Sequence, residues 1–511
     1  MLEFPDWSDL GKGRVSGLTQ DIWANQMGLL QRYEHYYSGA VFQEYAEKEK
    51  PTDDDIPLFP AGINLAKIFC VALADAMFGE WDDVPVKFES TTDKDKSSDL
   101  KAIELVHDIL RDSGCGATFW EAELDRNKFG GCALRAAPIG IYPHIRWSRV
   151  HRDAFFPIWD PEDPTELLEV WAVSVMSPEQ VKIKFGAETI LDQNYYIEHW
   201  SVKSYETFLN QTVIRPPTFN PYGIVPFAYS PRVRTSCWWG DSLVEDIIAL
   251  QDELNMSVGD AGEVIRKNAH PILWGKNIPA GFSKEVFRTS SDAMWDAGRS
   301  QGDRDPEINV LETKGEILAP AFDYIKFMLR MGRDHAGTPA IAYGDDDGGG
   351  QRSGDTLEIR LNPLMAAVRR SRSYFTPTLR RMLKITGAIL RQKSFSDVPV
   401  RAIDSLEKLT PTYSQVLPRS RPAIVDEVVK LLATDPPSIS LETAEVLLGR
   451  GSREVELIKQ MIKDEALKKE EPNDQIGLSN GRTLPVSGRE SQASGAKDNE
   501  RVQPDPKSGG K

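Results

Sequence analysis

Residues 240–268, GDSLVEDIIALQDELNMSVGDAGEVIRKN, decide how the rest of the chain is to be read. Ser242 and Glu245 stand at capping-box spacing, where each side chain satisfies an orphan amide at a helix start. From there Leu243, Ile247, Leu250, Leu254, Val258, Ala261 and Ile265 recur at steps of three and four. That period predicts an amphipathic helix over 242–268, about 40 Å long. Its other side carries Glu245, Asp246, Asp252, Glu253, Asp260 and Glu263. Such a face is ordinarily a solvated one. It acquires meaning only when several copies turn it toward a shared axis. His270 and Pro271 end the helix.

Beyond it, residues 272–318 are polar, glycine-dotted and without helical period. A second helix is expected over 320–335, opening on Pro320, carrying Phe322, Ile325 and Leu329 as an apolar stripe, and stopped by Gly337 and Pro339. Two helices flanking an irregular insert make a stalk with something at its tip. Then comes YGDDDGGGQRSGD, residues 343–355, with no apolar residue after its tyrosine to fold onto anything. A long helical region follows over 355–392, holding Arg360, Arg369, Arg370, Arg372, Arg380, Arg381, Lys384 and Arg391. Pro363 and Pro377 lie inside it and predict a break or kink. The basic residues admit two readings, a solvated or inter-subunit ion-pairing face, or phosphate contacts along a channel.

Upstream, helices are expected after Thr19 and over 64–78 and 99–112, the second apolar nearly all round. Residues 132–229 change texture: β-rich runs such as EVWAVSV and NYYIEHWSV alternate with Pro, Gly and Asp clusters, which predicts a mixed sheet region. Three shorter helices are expected over 423–433, 441–448 and 453–469, and the polar residues beyond 471 have the composition of a disordered tail. The fold class is α+β.

Bulk properties narrow the function. The chain has 511 residues, 40% hydrophobic and 27% charged, enough for a sizeable core. Four scattered cysteines with no C-x-x-C pattern argue against a disulfide scaffold or zinc ribbon, and seven histidines against a rich metal cluster. The opening residues carry no secretory signal, and the apolar run 63–79 is short and interrupted by Lys67 and Asp75, so a soluble protein with no membrane partner is expected. The formal net charge is −16, which speaks against tight gripping of DNA phosphates. It is compatible with surrounding a polyanion without holding it.

No enzyme signature emerges. Aligned on Asp345 the acidic-glycine stretch begins like a calcium loop, but Gly349 and Thr356 stand where ligands belong. No Gly-Lys-Ser/Thr follows it to make a phosphate cradle. His107, His144, His151, His199, His270 and His335 read as core or surface histidines, with no nucleophile elbow beside them. No cofactor and no metal site are expected. A metal-dependent nuclease using the Asp clusters, and a non-ring structural adaptor, remain as alternatives.

The order of parts resembles the portal proteins of long-tailed bacteriophages. RYEHYYSGAV, NLAKIFCVALADAMFGEWDDVPVKF and GTPAIAYGDDDGGGQRSGDTLEIRL are each similar to a segment of that family. So is IVDEVVKLLATDPPSISLETAEVLLGRGSREVELIKQMIKDE. The sharpest likeness lies in YGIVPFAYSPRVRTSCWWGDSLVEDIIALQDELNMSVGD, a Gly-x-x-Pro strand leading into Gly-Asp-Ser and a Leu-Gln-Asp-x-Leu-Asn helix.

The resemblance implies an N-terminal wing over 1–241, a stem helix over 242–271, a β-containing clip over 272–318 and a second stem helix over 319–338. It further implies a tunnel loop and long kinked wing helix over 339–393, a helical crown over 394–470 and a disordered tail over 471–511. Asp345, Asp346, Asp347, Gly348, Gly349, Gly350, Gln351 and Arg352 become the tunnel loop facing DNA. Glu245, Asp252, Glu253, Asp260 and Glu263 become candidates for the acidic channel face. The implied assembly is a homo-oligomeric ring of about twelve copies at one capsid vertex of the virion, put together in the host cytoplasm. Its implied partners are double-stranded DNA passing non-specifically, the large terminase packaging motor, major capsid and scaffolding proteins, and head-completion or adaptor proteins.

Overall fold

A computed structural model describes residues 17–42, 62–78, 84–90, 96–269, 272–276, 307–311, 318–344, 354–392 and 398–416, apart from 140–143, 164, 190, 236–237 and 415. It also describes 428–430 and 433. Beyond those last positions, the expected crown helices over 423–433, 441–448 and 453–469 lie outside the described residues, as do the tail and most of the clip. The chain divides into two units, 1–418 and 419–511, and the first holds nearly all the described residues.

Helices come first. Helix α1 spans Gly17–Ser38 and α2 spans Leu65–Phe78. Asn64 starts α2 by accepting the Lys67 amide at 2.9 Å, the bond an N-cap makes. Eight residues of α2 are buried, as its near-uniform apolarity requires, although Ile68 is 40% exposed. Strand β1 (Val86–Ser90) leads to α3 (Lys96–Asp112), and Gly114, at φ +61°, turns the chain into α4 (Cys115–Phe129).

The expected sheet region resolves into two sheets. β2 (Gly131–Ile139) pairs antiparallel with β3 (His144–Val150) and with β9 (Phe227–Pro231). β4 (Phe155–Trp159), β5 (Leu167–Met176), β6 (Asn194–Ser201), β7 (Ser204–Leu209) and β8 (Thr212–Phe219) form an antiparallel meander, with α5 (Pro178–Phe185) between β5 and β6. One edge strand is β8, exposed along its whole length and carrying Pro216 and Pro217, residues that blunt edge-to-edge pairing. One core cluster joins residues of both sheets around Phe155, Trp171 and Phe227. A larger one lies among α2, α3, α4 and helices later in the chain.

Residues 240–268 form α6, Leu243–Ala269. Leu243, Ile247, Leu254 and Ala261 are buried as expected, while Ile265 is exposed. The capping box is present only in part. The Ser242 hydroxyl accepts the Val244 amide at 3.0 Å and donates to the Lys128 carbonyl at 2.6 Å, while the Glu245 carboxylate goes to Arg32 at 3.6 Å. Tertiary partners have taken both side chains.

After α6, β10 (Ile272–Lys276) pairs antiparallel with β11 (Glu307–Leu311), so the insert is strand-bearing at its base. Helix α7 runs Leu318–Ala336 with Gly337 at φ +68° behind it. Helix α8 then spans Gly354–Leu390 as one element. Of the break or kink expected here, the break does not occur: Pro363 and Pro377 are both accommodated inside 37 helical residues. Around the second proline the helix is held from outside. The Arg126 guanidinium donates to the Ser371 carbonyl at 3.2 Å, and the Ser230 hydroxyl to the Tyr374 carbonyl at 3.4 Å.

Residues expected to open the crown are packed with the N-terminal ones. Helix α9 (Val400–Leu406) lies against α3, and β12 (Leu409–Tyr413) pairs with β1 in antiparallel register from Val86–Tyr413 to Ser90–Leu409.

Candidate functional site

The segment 240–268 is held at its start by two glycines whose backbones touch. Gly240 adopts φ +86°, and a Cβ there would stand 2.3 Å from the Gly130 carbonyl oxygen. Gly130 at φ +83° closes α4. Only residues without a Cβ allow the end of α4 and the start of α6 to meet this closely.

Two polar residues of the Leu-Gln-Asp-x-Leu-Asn motif then fasten α6 to α2. The Gln251 carbonyl accepts the Leu65 amide at 2.7 Å, its NH2 group donates to Asn255 at 3.0 Å, and it also reaches the Ile63 carbonyl. Gln251 is 1% exposed and satisfies an orphan donor of α2's first turn. Sequence periodicity could not reveal this, because glutamine reads as a surface residue.

Helices α6 and α7 lie antiparallel. Leu250 approaches Gly332 near the far end of α7, while the Tyr324 hydroxyl donates to Glu253 at 3.1 Å near its beginning. A Cβ on Gly332 would meet Leu250 at 3.0 Å and Leu65 and Phe69 at 3.3 Å, so three side chains converge on this one position. The expected stripe of α7 is therefore shifted. Ile325, Met328, Gly332 and Ala336 are buried, Leu329 is half-buried, and Phe322 faces outward. Tyr324, Phe327 and Met331 are exposed as well, at 43%, 54% and 44%.

The acidic residues of α6 do share one side, but helix α1 covers its first half. Glu245 meets Arg32, and both Asp252 oxygens lie 3.0 Å from the Tyr36 hydroxyl. Asp246 reaches Arg232 at 3.4 Å. Glu253 accepts from Tyr324, Asp260 is exposed, and Glu263 is half-buried. The acidic face that α1 leaves open is thus the second half of the helix.

Residues Asp345 to Arg352 lie outside the described residues, yet their anchors do not. Before them a short turn, Ala340–Tyr343, ends at Gly344 with φ +77°, and the Arg333 guanidinium sits 5.7 Å from the Tyr343 ring. After them α8 begins at Gly354, and a Cβ on Gly337 would lie 3.7 Å from the Pro363 carbonyl, so both ends are tied to neighbouring elements. The intervening residues 345–353 permit an excursion of about 15 Å out and back at extended-chain rise.

Seven of the eight basic residues over 355–392 divide into two sets. Arg372 donates twice to the Met77 carbonyl, at 2.7 and 2.9 Å, Arg381 donates to the Phe227 carbonyl at 3.1 Å, and Arg391 meets Asp404 at 3.1 Å. These are structural. Arg369, Arg370, Arg380 and Lys384 are exposed and make no ion pair among the described residues.

Beneath α8 lies a fully buried cluster that periodicity also hides. Glu123 accepts from the Ser371 hydroxyl at 2.6 Å and pairs with Arg126, which donates to the Pro231 carbonyl at 3.2 Å and stacks 5.4 Å from the Phe375 ring. Burial raises the Glu123 carboxyl above its ordinary range, opposed by the Arg126 charge and the Ser371 bond.

Two of the histidines have structural surroundings. His199 is clasped between Glu206 at 2.8 Å and Glu169 at 3.0 Å and stacked on Trp171, while His151 bonds Asp153 at 2.6 Å. Among the described residues no group of three His, Cys, Asp or Glu side chains is placed to hold a metal ion. Cys70, Cys115 and Cys132 are buried and unpaired, and burial pushes the Cys70 thiol up to about 12.

The family model for "Phage portal protein, SPP1 Gp6-like" matches residues 18–466, which includes the α6–α7 pair and both its flanks. The chain belongs to the phage portal protein family. Portal proteins are structural, non-enzymatic components of the tailed-phage virion that form oligomeric rings. No curated protein matches this portal protein significantly. None of its described helices is long and apolar enough to cross a membrane.

Proposed function

We propose that about twelve copies of this portal protein close into a ring at one capsid vertex, whose bore carries the genome during packaging, retention and ejection. The observation carrying this reading is the family match across an antiparallel α6–α7 pair with a strand-bearing insert at one end. In it, α6 and α7 are the stem, and the strand-bearing insert is the clip that meets the large terminase motor and later the head-completion proteins. The exposed Tyr324, Phe327 and Met331 of α7 form an apolar surface suited to burial between copies.

Asp260 and Glu263, on the half of α6 that α1 leaves open, are the acids assigned to the bore. Carboxylates there repel phosphate and keep a duplex from settling into an electrostatic well. Glu245, Asp252 and Glu253 hold α6 to α1 and α7. Residues 345–352 act as a finger reaching toward DNA, with glycines for reach and charge to keep them out of the core.

Native mass spectrometry and negative-stain imaging of the purified chain test the ring: a closed annulus with a central hole is expected, and a monomer with no bore overturns the proposal. Deleting residues 345–350 should leave the ring intact while packaging or genome retention falls. Lost assembly with unchanged DNA handling would refute the role given to that segment. Divalent-metal-dependent DNA cleavage by the purified chain would favour a nuclease instead.

A further inference from the structure

A second feature of α8 lies away from the stem. Between α8, β9, the loop before β5 and the end of α9 is a cleft of about 300 Å³, whose lining includes Arg234, Arg380, Arg381, Lys384, Tyr229 and Tyr374. Its two carboxylates are already used. Glu166 pairs with one terminal nitrogen of Arg381, and Glu407 lies 3.4 Å from Arg391. Arg380 and Lys384 are exposed and unpaired among the described residues.

Arg381 adds the decisive observation. It is 7% exposed, with Nε bonded to the Phe227 carbonyl and Nη1 to Glu166, yet its Nη2 is buried with no acceptor. A guanidinium donor buried without an acceptor is costly, and a planar fork with one tine unused matches an incoming oxyanion. Lys384 stands three residues from Arg381 and four from Arg380 on α8, and all three line the cleft.

We infer that this cleft receives a carboxylate side chain from a second copy of the same chain, an ion pair that each subunit completes only with its neighbour. The inference rests on the ring reading above. Charge complementarity selects this occupant. The chain carries 77 acidic against 61 basic residues, so any neighbouring copy presents carboxylates, and a ring of such chains must offset its own repulsion at the contacts. Geometry disfavours DNA, because a broad duplex cannot bring a phosphate to a nitrogen as deeply buried as the Arg381 Nη2. Arginine is also the residue best suited to such desolvated pairs.

Rings assembled from equal amounts of 14N- and 15N-labelled chains test this. A zero-length carbodiimide should join Lys384 to an Asp or Glu in peptides of mixed isotope content. Cross-links confined to same-isotope pairs, such as Lys384 with Glu166 or Glu407, would overturn the inference. In a second arm, the double variant Arg380→Glu/Lys384→Glu should unfold at the wild-type temperature, since both side chains are exposed, yet require about tenfold more protein to form rings. Equal ring formation by variant and wild type refutes the inference while leaving the ring reading intact; a wild type that forms no ring removes both. A free ion is the remaining rival. Protection of Lys384 from acetylation by inorganic phosphate in the isolated chain, together with normal rings from the variant, would assign the cleft to phosphate and sink the inter-copy pair.

Discussion

Gly240 shows how much can rest on one missing side chain. Gly240→Ala would place a methyl group against the Gly130 carbonyl oxygen while holding φ at +86°, so a loss of more than about 2 kcal/mol is expected, read as a lowered denaturant midpoint. At Glu123 the cost has another origin. Glu123→Ala strands the fully buried Arg126 guanidinium and should remove about 3–5 kcal/mol, whereas replacing both residues by apolar ones of similar volume should cost clearly less. Asp99 supplies a pH dependence. Hydrogen bonds first from Ser90 and then from Ser405 hold its carboxyl below the usual range, tying α3 to β1 and α9. Because the folded value lies below the unfolded one of about 3.9, the added stability is complete above that unfolded value and lost as pH falls through the folded one. Urea titrations of wild type and Asp99→Asn should therefore differ at pH 7 and converge in strong acid. A difference that persists there would contradict the assignment.

At the scale of elements, α2 and α6 make a testable joint. Gln251→Ala leaves the Leu65 amide buried without its acceptor and should cost about 1–3 kcal/mol, while Gln251→Glu, which keeps that acceptor, should cost less at a pH where it is protonated. Hydrogen–deuterium exchange at the first turn of α2 is the direct readout. Which elements can be foreseen depends on where their information lies. Helix α6 declares itself because Leu243, Ile247, Leu254 and Ala261 carry its period in their own side chains. In α7 the stripe is misread because a large Phe322 counts as core, while the buried face runs through Ile325, Met328, Gly332 and Ala336. At Gly332 the missing side chain is what lets Leu250 of α6 approach. Periodicity places the acids of α6 on one side, but only the structure shows α1 meeting two of them, Glu245 and Asp252, through Arg32 and Tyr36. Pro363 and Pro377 predict a break from local sterics alone, and the carbonyl contacts from Arg126 and Ser230 that support α8 come from far away in sequence.

For the whole molecule, charge sets the conditions of assembly. Each copy adds a formal −16, so ring formation should become more favourable as salt rises from about 0.05 to 0.5 M and long-range repulsion is screened. The deficit of the Arg380→Glu/Lys384→Glu variant should persist across that range, because a desolvated pair is screened far less. Sedimentation at both salt concentrations checks the two together; rings favoured by low salt would contradict the first expectation. The pairing of β1 with β12 is invisible in the sequence because it joins positions more than 300 residues apart, with no local signal marking either strand as the other's mate. That closure also has a bearing on synthesis. A nascent polypeptide leaves Val86–Ser90 as a bare edge until Leu409–Tyr413 has emerged from the ribosome tunnel, so a prematurely terminated product cannot complete the body it has already begun to fold. A product that stops short of Leu409 therefore keeps an unpaired strand edge, a template for association with other chains.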